Sequence, residues 1–178
     1  MCDMCNGATL QDRLSRIHRQ ILDRGFTIMQ VEGTPASDEW AYTIGLLNGH
    51  NHPELVVAGY PLEEASVVLL GLATEVVNGD RLDTPGDRLA LDGVEFGVVP
   101  VDKQLLKGDL LAAWYGYHKT FGPSDLVPRA LQVLLPDAHY CFHHQNTQPR
   151  LDQPGSFSGM NHRERRRQAF GRGRRNQR

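Results

Sequence analysis

Three short apolar runs follow one another between residues 26 and 59, and turn-forming segments separate them. The runs are Phe26 to Val31, Glu39 to Leu46 and Glu54 to Gly59, and the separators are GTPAS and LNGHNHP. Connections this short join neighbouring antiparallel strands. The third run contains Leu55-Val-Val-Ala58, which is apolar on both faces and therefore predicts a central strand.

Three other segments have the apolar spacing of amphipathic helices. The first is capped by Thr9 and ended by Gly25, the second begins at Pro61 and ends before Gly79, and the third runs from about Asp109 to Phe121. A hairpin is expected around Asp92-Gly93, and a last strand over Ala130 to Leu135. This order predicts an α+β fold, a largely antiparallel sheet of about five to six strands packed by three helices.

Charge divides the chain into two parts. The net charge is only -2, but residues 161–178 hold eight arginines and one acid, which leaves 11 basic and 20 acidic residues in the rest of the chain. We therefore expect one domain over residues 1–152 and a disordered arginine-rich tail over residues 153–178. No apolar run is long enough to span a bilayer, and the N-terminus lacks the pattern of a secretory signal, so a cytoplasmic protein is expected.

Two groups of residues have the chemistry of metal ligands. His50, His52 and Glu54 would share one face of a strand, as ligands for zinc or iron. Pro53 interrupts that strand, so the alternative is a polar turn in which Glu54 hydrogen-bonds to the backbone. The second group is a C-x-x-C formed by Cys2 and Cys5, which would close a zinc site with Cys141 and either His143 or His144. Its alternative is a pair of small residues on a mobile chain end.

Several polar and aromatic residues are candidate contacts for a small ligand. The polar candidates are Tyr42, Thr43, Glu54, Gln132 and Asp137, although Tyr42 also lies on a stripe typical of a core, and Asp137 follows Pro136 as a turn or cap residue would. The aromatic candidates are Trp114, Tyr115, Tyr117 and His118, which form either a stacking platform or part of the core.

The tail has the charge density to bind RNA or DNA without base-specific readout. Its candidate contacts are Arg165, Arg166, Arg167, Arg172, Arg174 and Arg175, and their affinity should fall steeply with salt. A solubilising arm is the alternative interpretation. The catalytic and phosphate-binding patterns G-x-S-x-G with a central serine, G-x-x-x-x-G-K and G-x-G-x-x-G after a strand do not occur.

A set of motifs connects the chain to a known family. In order, MCDMC, Gly25-Phe26, AYTIGL, HPELVVAGY, ALQVLLPD and QPRL resemble the bacterial family of domains of unknown function numbered 4262, over about residues 1–152. The resemblance implies a small, soluble, mostly bacterial protein whose family has no established activity, and Cys2 and Cys5 match cysteines common in that family. The segment AHYCFHHQNTQPRL departs from the family pattern of Gly, aromatic, Pro and Trp-Asp after the PD.

Three functions are therefore compared. The first is a small-ligand-binding or regulatory domain without catalysis, since catalytic signatures are missing. The second is a metal-dependent enzyme that uses either metal group, with Glu54 or His118 as general base. The third is a nucleic-acid-associated protein that binds through its tail.

Overall fold

The α+β architecture is confirmed by the structure, a computed structural model that describes residues 9–33, 39–81, 88–91, 93–123, 125–135 and 151. In chain order the elements are α1 (Leu10–Arg24), β1 (Thr27–Val31), β2 (Trp40–Ile44), α2 (Leu46–His50), β3 (Glu54–Ala58), α3 (Leu62–Asn78), β4 (Arg88–Leu91), β5 (Val94–Pro100), α4 (Lys103–Leu106), a 3-10 turn (Asp109–Leu111), α5 (Ala112–Phe121) and β6 (Ala130–Leu134). The predicted tail lies outside the described residues.

The first helix begins and ends where its sequence predicts. The Thr9 hydroxyl accepts a hydrogen bond from the Asp12 N–H at 3.1 Å, and the Asp12 carboxylate accepts the Thr9 N–H at 2.9 Å, which completes a capping box. Gly25 ends the helix in the left-handed conformation, with φ of 86°. The second predicted helix, α3, likewise starts directly after Pro61 and ends at Gly79.

Six strands form one sheet in the order β1-β2-β3-β6-β5-β4. Neighbours are antiparallel except for β3 and β6, which are parallel and occupy the centre. Every residue of β3 is buried, as its uninterrupted apolar pattern predicts for a central strand.

The sheet lies between two layers of helices. On one face, α1 and α5 cover the side chains of Trp40, Tyr42 and Val56. On the other face, α3 covers Leu55 and Val57. The alternation of side chains along each strand thus sends one set of residues into each of two hydrophobic cores.

The prediction of three helices was incomplete, because α2 and α4 were not expected. The sequence predicts a strand that ends at Leu46 and a turn after it, whereas Leu46–His50 form one turn of helix. Likewise, the first residues of the predicted third helix form the 3-10 turn that precedes α5. Elements this short carry too few residues for a periodic pattern to reveal them. In the part of the chain that the structure describes, no helix is both long and apolar enough to cross a membrane.

Candidate functional site

The carboxyl group of Glu54 lies at the point where β2 and β3 separate. The two strands pair as far as Tyr42 and Val56, but beyond them the Leu55 N–H bonds to the Thr43 hydroxyl at 2.9 Å instead of to a backbone carbonyl. The same hydroxyl donates to Oε2 of Glu54 at 2.7 Å. Glu54 is 0% exposed, so its carboxyl is sealed into this gap.

The other carboxyl oxygen of Glu54 gathers three N–H donors. Oε1 accepts the backbone N–H groups of Gly45 at 3.0 Å and Leu47 at 3.3 Å, which lie at the start of α2. It also accepts the indole N–H of Trp114, from α5, at 3.2 Å. Glu54 thereby joins three parts of the fold, the end of β2, the start of α2 and α5.

Burial and hydrogen bonding act on this carboxyl in opposite directions. Burial raises the pKa of Glu54 to about 7, since the charged form loses its hydration. The donors from Thr43, Gly45, Leu47 and Trp114 favour the charged form and lower the pKa, but less than burial raises it. The contacting donors are two backbone amides, an indole and a hydroxyl, none of which carries a charge. A carboxyl in this setting changes its charge near neutral pH.

Tyr42 and Gln132, two other predicted ligand contacts, also bind the protein's own backbone. The Tyr42 hydroxyl accepts the N–H of Ala113 at 3.0 Å, and burial raises the pKa of Tyr42 to about 12. Gln132 Oε1 accepts the N–H of Leu151 at 2.8 Å. Each of the two side chains thus accepts a hydrogen bond from a backbone N–H group that lies outside the sheet ladders and the helix interiors. Asp137, the remaining candidate, lies outside the described residues.

Three of the four aromatic candidates of α5 form part of the core, whereas Tyr115 is exposed and its hydroxyl donates to the Leu106 carbonyl at 2.8 Å. Trp114, Tyr117 and His118 are buried, and the rings of Trp114 and His118 stack with their centroids 3.8 Å apart. The indole of Trp114 therefore contacts Glu54 through its N–H and His118 through its face. The sequence contains no signal for this link, since it joins residues 60 positions apart in the chain.

A comparison with models of protein families tests the family resemblance that the motifs indicate. The model of a domain of unknown function, DUF4262, matches residues 20–147, which is well over half of the chain. The chain belongs to the DUF4262 family. No curated protein and no solved structure gave a significant match.

The DUF4262 match contains the Glu54 site but excludes Cys2, Cys5 and the arginine-rich tail. The matched region is narrower than the segment of about residues 1–152 over which the motifs resemble the family. The DUF4262 description assigns no activity, so any role of the site has to be argued from its geometry.

The predicted metal group of His50, His52 and Glu54 is not brought together. His52 Nδ1 lies 2.6 Å from the carbonyl oxygen of Pro53, while His50 ends α2 and its ring lies against Gly25. Within the described ranges, no group of three or more His, Cys, Asp or Glu residues is placed to hold a metal ion. The alternative interpretation agrees with the structure, because Glu54 does hydrogen-bond to the backbone.

The remaining predicted site residues have no described structure in this DUF4262 chain. They are the cysteine group of Cys2, Cys5, Cys141, His143 and His144, and the tail arginines Arg165, Arg166, Arg167, Arg172, Arg174 and Arg175. The zinc and nucleic-acid interpretations therefore stay predictions from the sequence.

Proposed function

We propose that this chain is a small-ligand-binding or regulatory domain without catalysis, in which Glu54 is the responsive group. The observation that carries the proposal is a fully buried carboxyl bound by four uncharged donors from separate parts of the fold. Strongly perturbed ionisable groups of this kind concentrate at functional sites. Both oxygens are engaged and sealed from solvent, which favours a conformational role over direct attack on a substrate.

The hydrogen-bond pattern defines where a proton would bind. Oε1 already accepts three N–H groups, whereas Oε2 accepts only the Thr43 hydroxyl, whose hydrogen can rotate away. The proton therefore binds Oε2 and is donated to Thr43 Oγ1. Loss of the negative charge then weakens the three bonds to Oε1, because hydrogen bonds to an ionised acceptor are about twice as strong as neutral ones.

Trp114 transmits this change to α5. Its indole N–H donates to Glu54 from α5, in the helix layer that covers the sheet. The face of the same ring stacks on His118. A change in charge at Glu54 therefore alters how firmly α5 is held against the sheet. Regulation of a ligand site on this face by proton uptake is the function that this geometry supports best.

The experiment is a pH titration of the two indole N–H signals by NMR. The chain has two tryptophans, and Trp40 serves as an internal control because its indole donates to the Leu110 carbonyl at 3.1 Å rather than to a carboxyl. We expect the Trp114 signal to shift with a midpoint near neutral pH while the Trp40 signal shows no matching transition.

Two variants separate Glu54 from the imidazole stacked on the same indole. Glu54→Gln should abolish the transition of the Trp114 signal, and His118→Phe should retain it. A Trp114 signal that does not change with pH, or a transition that survives in Glu54→Gln, would contradict the proposal.

The sequence also supports predictions of origin, location and alternative functions. A bacterial, cytoplasmic protein remains the expectation. The alternatives to a binding or regulatory function are a metal-dependent enzyme and a nucleic-acid-associated protein. Elemental analysis of purified protein, compared with a Cys2→Ala/Cys5→Ala variant, tests the first alternative. Deletion of residues 161–178, followed by RNA binding at two salt concentrations, tests the second.

A further inference from the structure

The strand β1 forms one edge of the sheet, and its neighbour β2 shows which of its backbone groups point outward. The N–H of Gly59 donates to the carbonyl of Glu39, so the backbone of Glu39 faces β3. Because backbone groups alternate in direction along an antiparallel strand, the even-numbered residues of β2 face β1. The residues of β1 that pair with them, and that therefore turn their backbone groups inward, are Thr27, Met29 and Val31.

The N–H and carbonyl groups of Ile28 and Gln30 consequently point away from the sheet. None of the residues with described positions bonds to these groups. The carbonyl of Phe26, two positions earlier, accepts a bond from Nε of Arg24 at 2.9 Å. Exposed edges are commonly protected by proline, by lysine or by a bulge, and β1 contains none of these. The edge therefore offers a row of donors and acceptors to another strand.

We propose that β1 is the contact surface between two copies of this chain, which pair their β1 strands antiparallel about a twofold axis at Met29. This register overlaps the whole of β1 and joins Ile28 of each copy to Gln30 of the other through both backbone groups. The side chains of Ile28, Met29 and Val31 are only partly buried. Pairing covers them and continues both hydrophobic cores across the axis.

Charge complementarity favours a second copy over an unrelated strand. In this register Glu32 of one copy lies opposite Phe26 of the other, and the two side chains share one face of the joined sheet. Arg24 lies over the same Phe26 ring, with Cζ 5.3 Å from the ring centroid. Opposed residues have Cβ atoms about 5 Å apart, so the Glu32 carboxylate comes within reach of the Arg24 guanidinium. Both side chains are exposed, and the twofold axis makes the contact twice.

The first test is sedimentation equilibrium of the full-length protein over a range of concentrations up to about 1 mM. The range is wide because a contact between two edge strands buries little area and binds weakly. We expect a reversible monomer–dimer equilibrium. A protein that stays monomeric throughout, because another segment or another protein takes the edge, would overturn the proposal.

Amide hydrogen exchange in the same samples identifies the surface residue by residue. The N–H groups of Ile28 and Gln30 should be unprotected in dilute protein and become protected in concentrated protein. The inward N–H groups of Thr27, Met29 and Val31 should be protected in both samples, since they bond to β2. Outward amides that are already protected in the monomer, or that still exchange freely in the dimer, would overturn the proposal.

Two substitutions at Gln30 separate its backbone N–H from its side chain. Gln30→Pro removes the outward N–H, which the ladder with β2 does not use, and should give a folded monomer. Gln30→Ala is the matched control, because it loses the same side-chain bonds to Ser66 and Leu62 but keeps the N–H, and it should dimerise as the wild type does. A dimer that persists in folded Gln30→Pro would place the contact elsewhere and overturn the proposal.

Exchange of the charges tests the register without altering the backbone of β1. Arg24→Glu and Glu32→Arg each bring like charges together at both contacts, so each should weaken dimerisation roughly tenfold. Mixed in equal amounts, the two variants should form a heterodimer, since every contact across the axis then joins opposite charges. A mixture that associates no better than the separate variants would overturn the register.

Discussion

At the scale of the residue, Glu54 shows how a protein core tolerates an ionisable group that, among the described residues, is bound by uncharged donors. Transfer of a carboxylate out of water is strongly unfavourable unless donors replace its hydration. The four donors around Glu54 replace it in part, and burial raises the pKa because the replacement is incomplete. Removal of the charge, while the shape and the acceptor pattern are kept, should therefore stabilise the fold.

Glu54→Gln tests this expectation through the pH dependence of unfolding. The native pKa of about 7 exceeds the unfolded value of 4.5, so the native state binds more protons between these values, and wild-type stability falls as pH rises through that window. The amide accepts at Oε1 and donates to Thr43, as the protonated acid does. Above neutral pH the variant should be more stable than the wild type by on the order of 3 kcal/mol, since one pKa unit corresponds to about 1.4 kcal/mol.

Chemical denaturation at several pH values provides the measurement. The control is Glu64→Gln, on the exposed first turn of α3, which removes a carboxyl group that lies outside the core. A Glu54→Gln variant that is less stable than the wild type at alkaline pH would mean that the donors outweigh burial.

At the scale of the element, the short helix α2 depends on the backbone conformation of Gly45. Gly45 has φ of 123°, which turns the chain from β2 into the helix and directs its N–H at Glu54. A Cβ at this position would lie 2.7 Å from the carbonyl oxygen of Gly25. Both the backbone angle and the space therefore require glycine.

Gly45→Ala should accordingly destabilise the protein more than Gly79→Ala. Gly79 has a similar φ of 113°, but a Cβ there would meet nothing within 4 Å, so its substitution adds backbone strain of roughly 1 kcal/mol and no clash. The difference between the two losses in free energy of unfolding gives the cost of the steric clash at position 45. Equal losses would show that α2 shifts to make room.

The elements also show which parts of the fold a sequence predicts. Capping by Thr9, the stop at Gly25 and the apolar run Leu55–Ala58 are local patterns, and each gave the correct element. The helix α2 is stabilised by a carboxylate that lies beyond its C-terminal end, so no pattern within Leu46–His50 announces it. The site follows the same rule, because Glu54 was identified but its bond to Trp114 is a tertiary contact.

At the scale of the whole molecule, Leu151 is a single position beyond the last strand that contacts the centre of the sheet. Leu151 is fully buried in the core beneath α1 and α5. Its N–H donates to Gln132, and its carbonyl accepts the Asp102 N–H at 2.6 Å. Through this hydrogen bond, the side chain of Gln132 holds Leu151 against the centre of the sheet.

Gln132→Leu should release this contact. The Leu151 N–H would be left buried without that acceptor, at a cost of about 1 to 3 kcal/mol, and its hydrogen exchange should become faster. Amide exchange followed by NMR makes the measurement, with Gln104→Leu, at an exposed position of α4, as the control. Unchanged protection of the Leu151 amide would contradict the role assigned to Gln132.

The central claim, that Glu54 exchanges a proton within the folded protein, is tested most directly by the carboxyl signal of Glu54 itself. In protein labelled with 13C-glutamate, that signal is assigned by its loss in Glu54→Gln and followed across the pH range in which the fold persists. The account predicts a transition near pH 7, the value to which burial raises the pKa of this group. A signal that stays in the ionised position down to about pH 5 would show that the four donors outweigh burial, and would contradict the account.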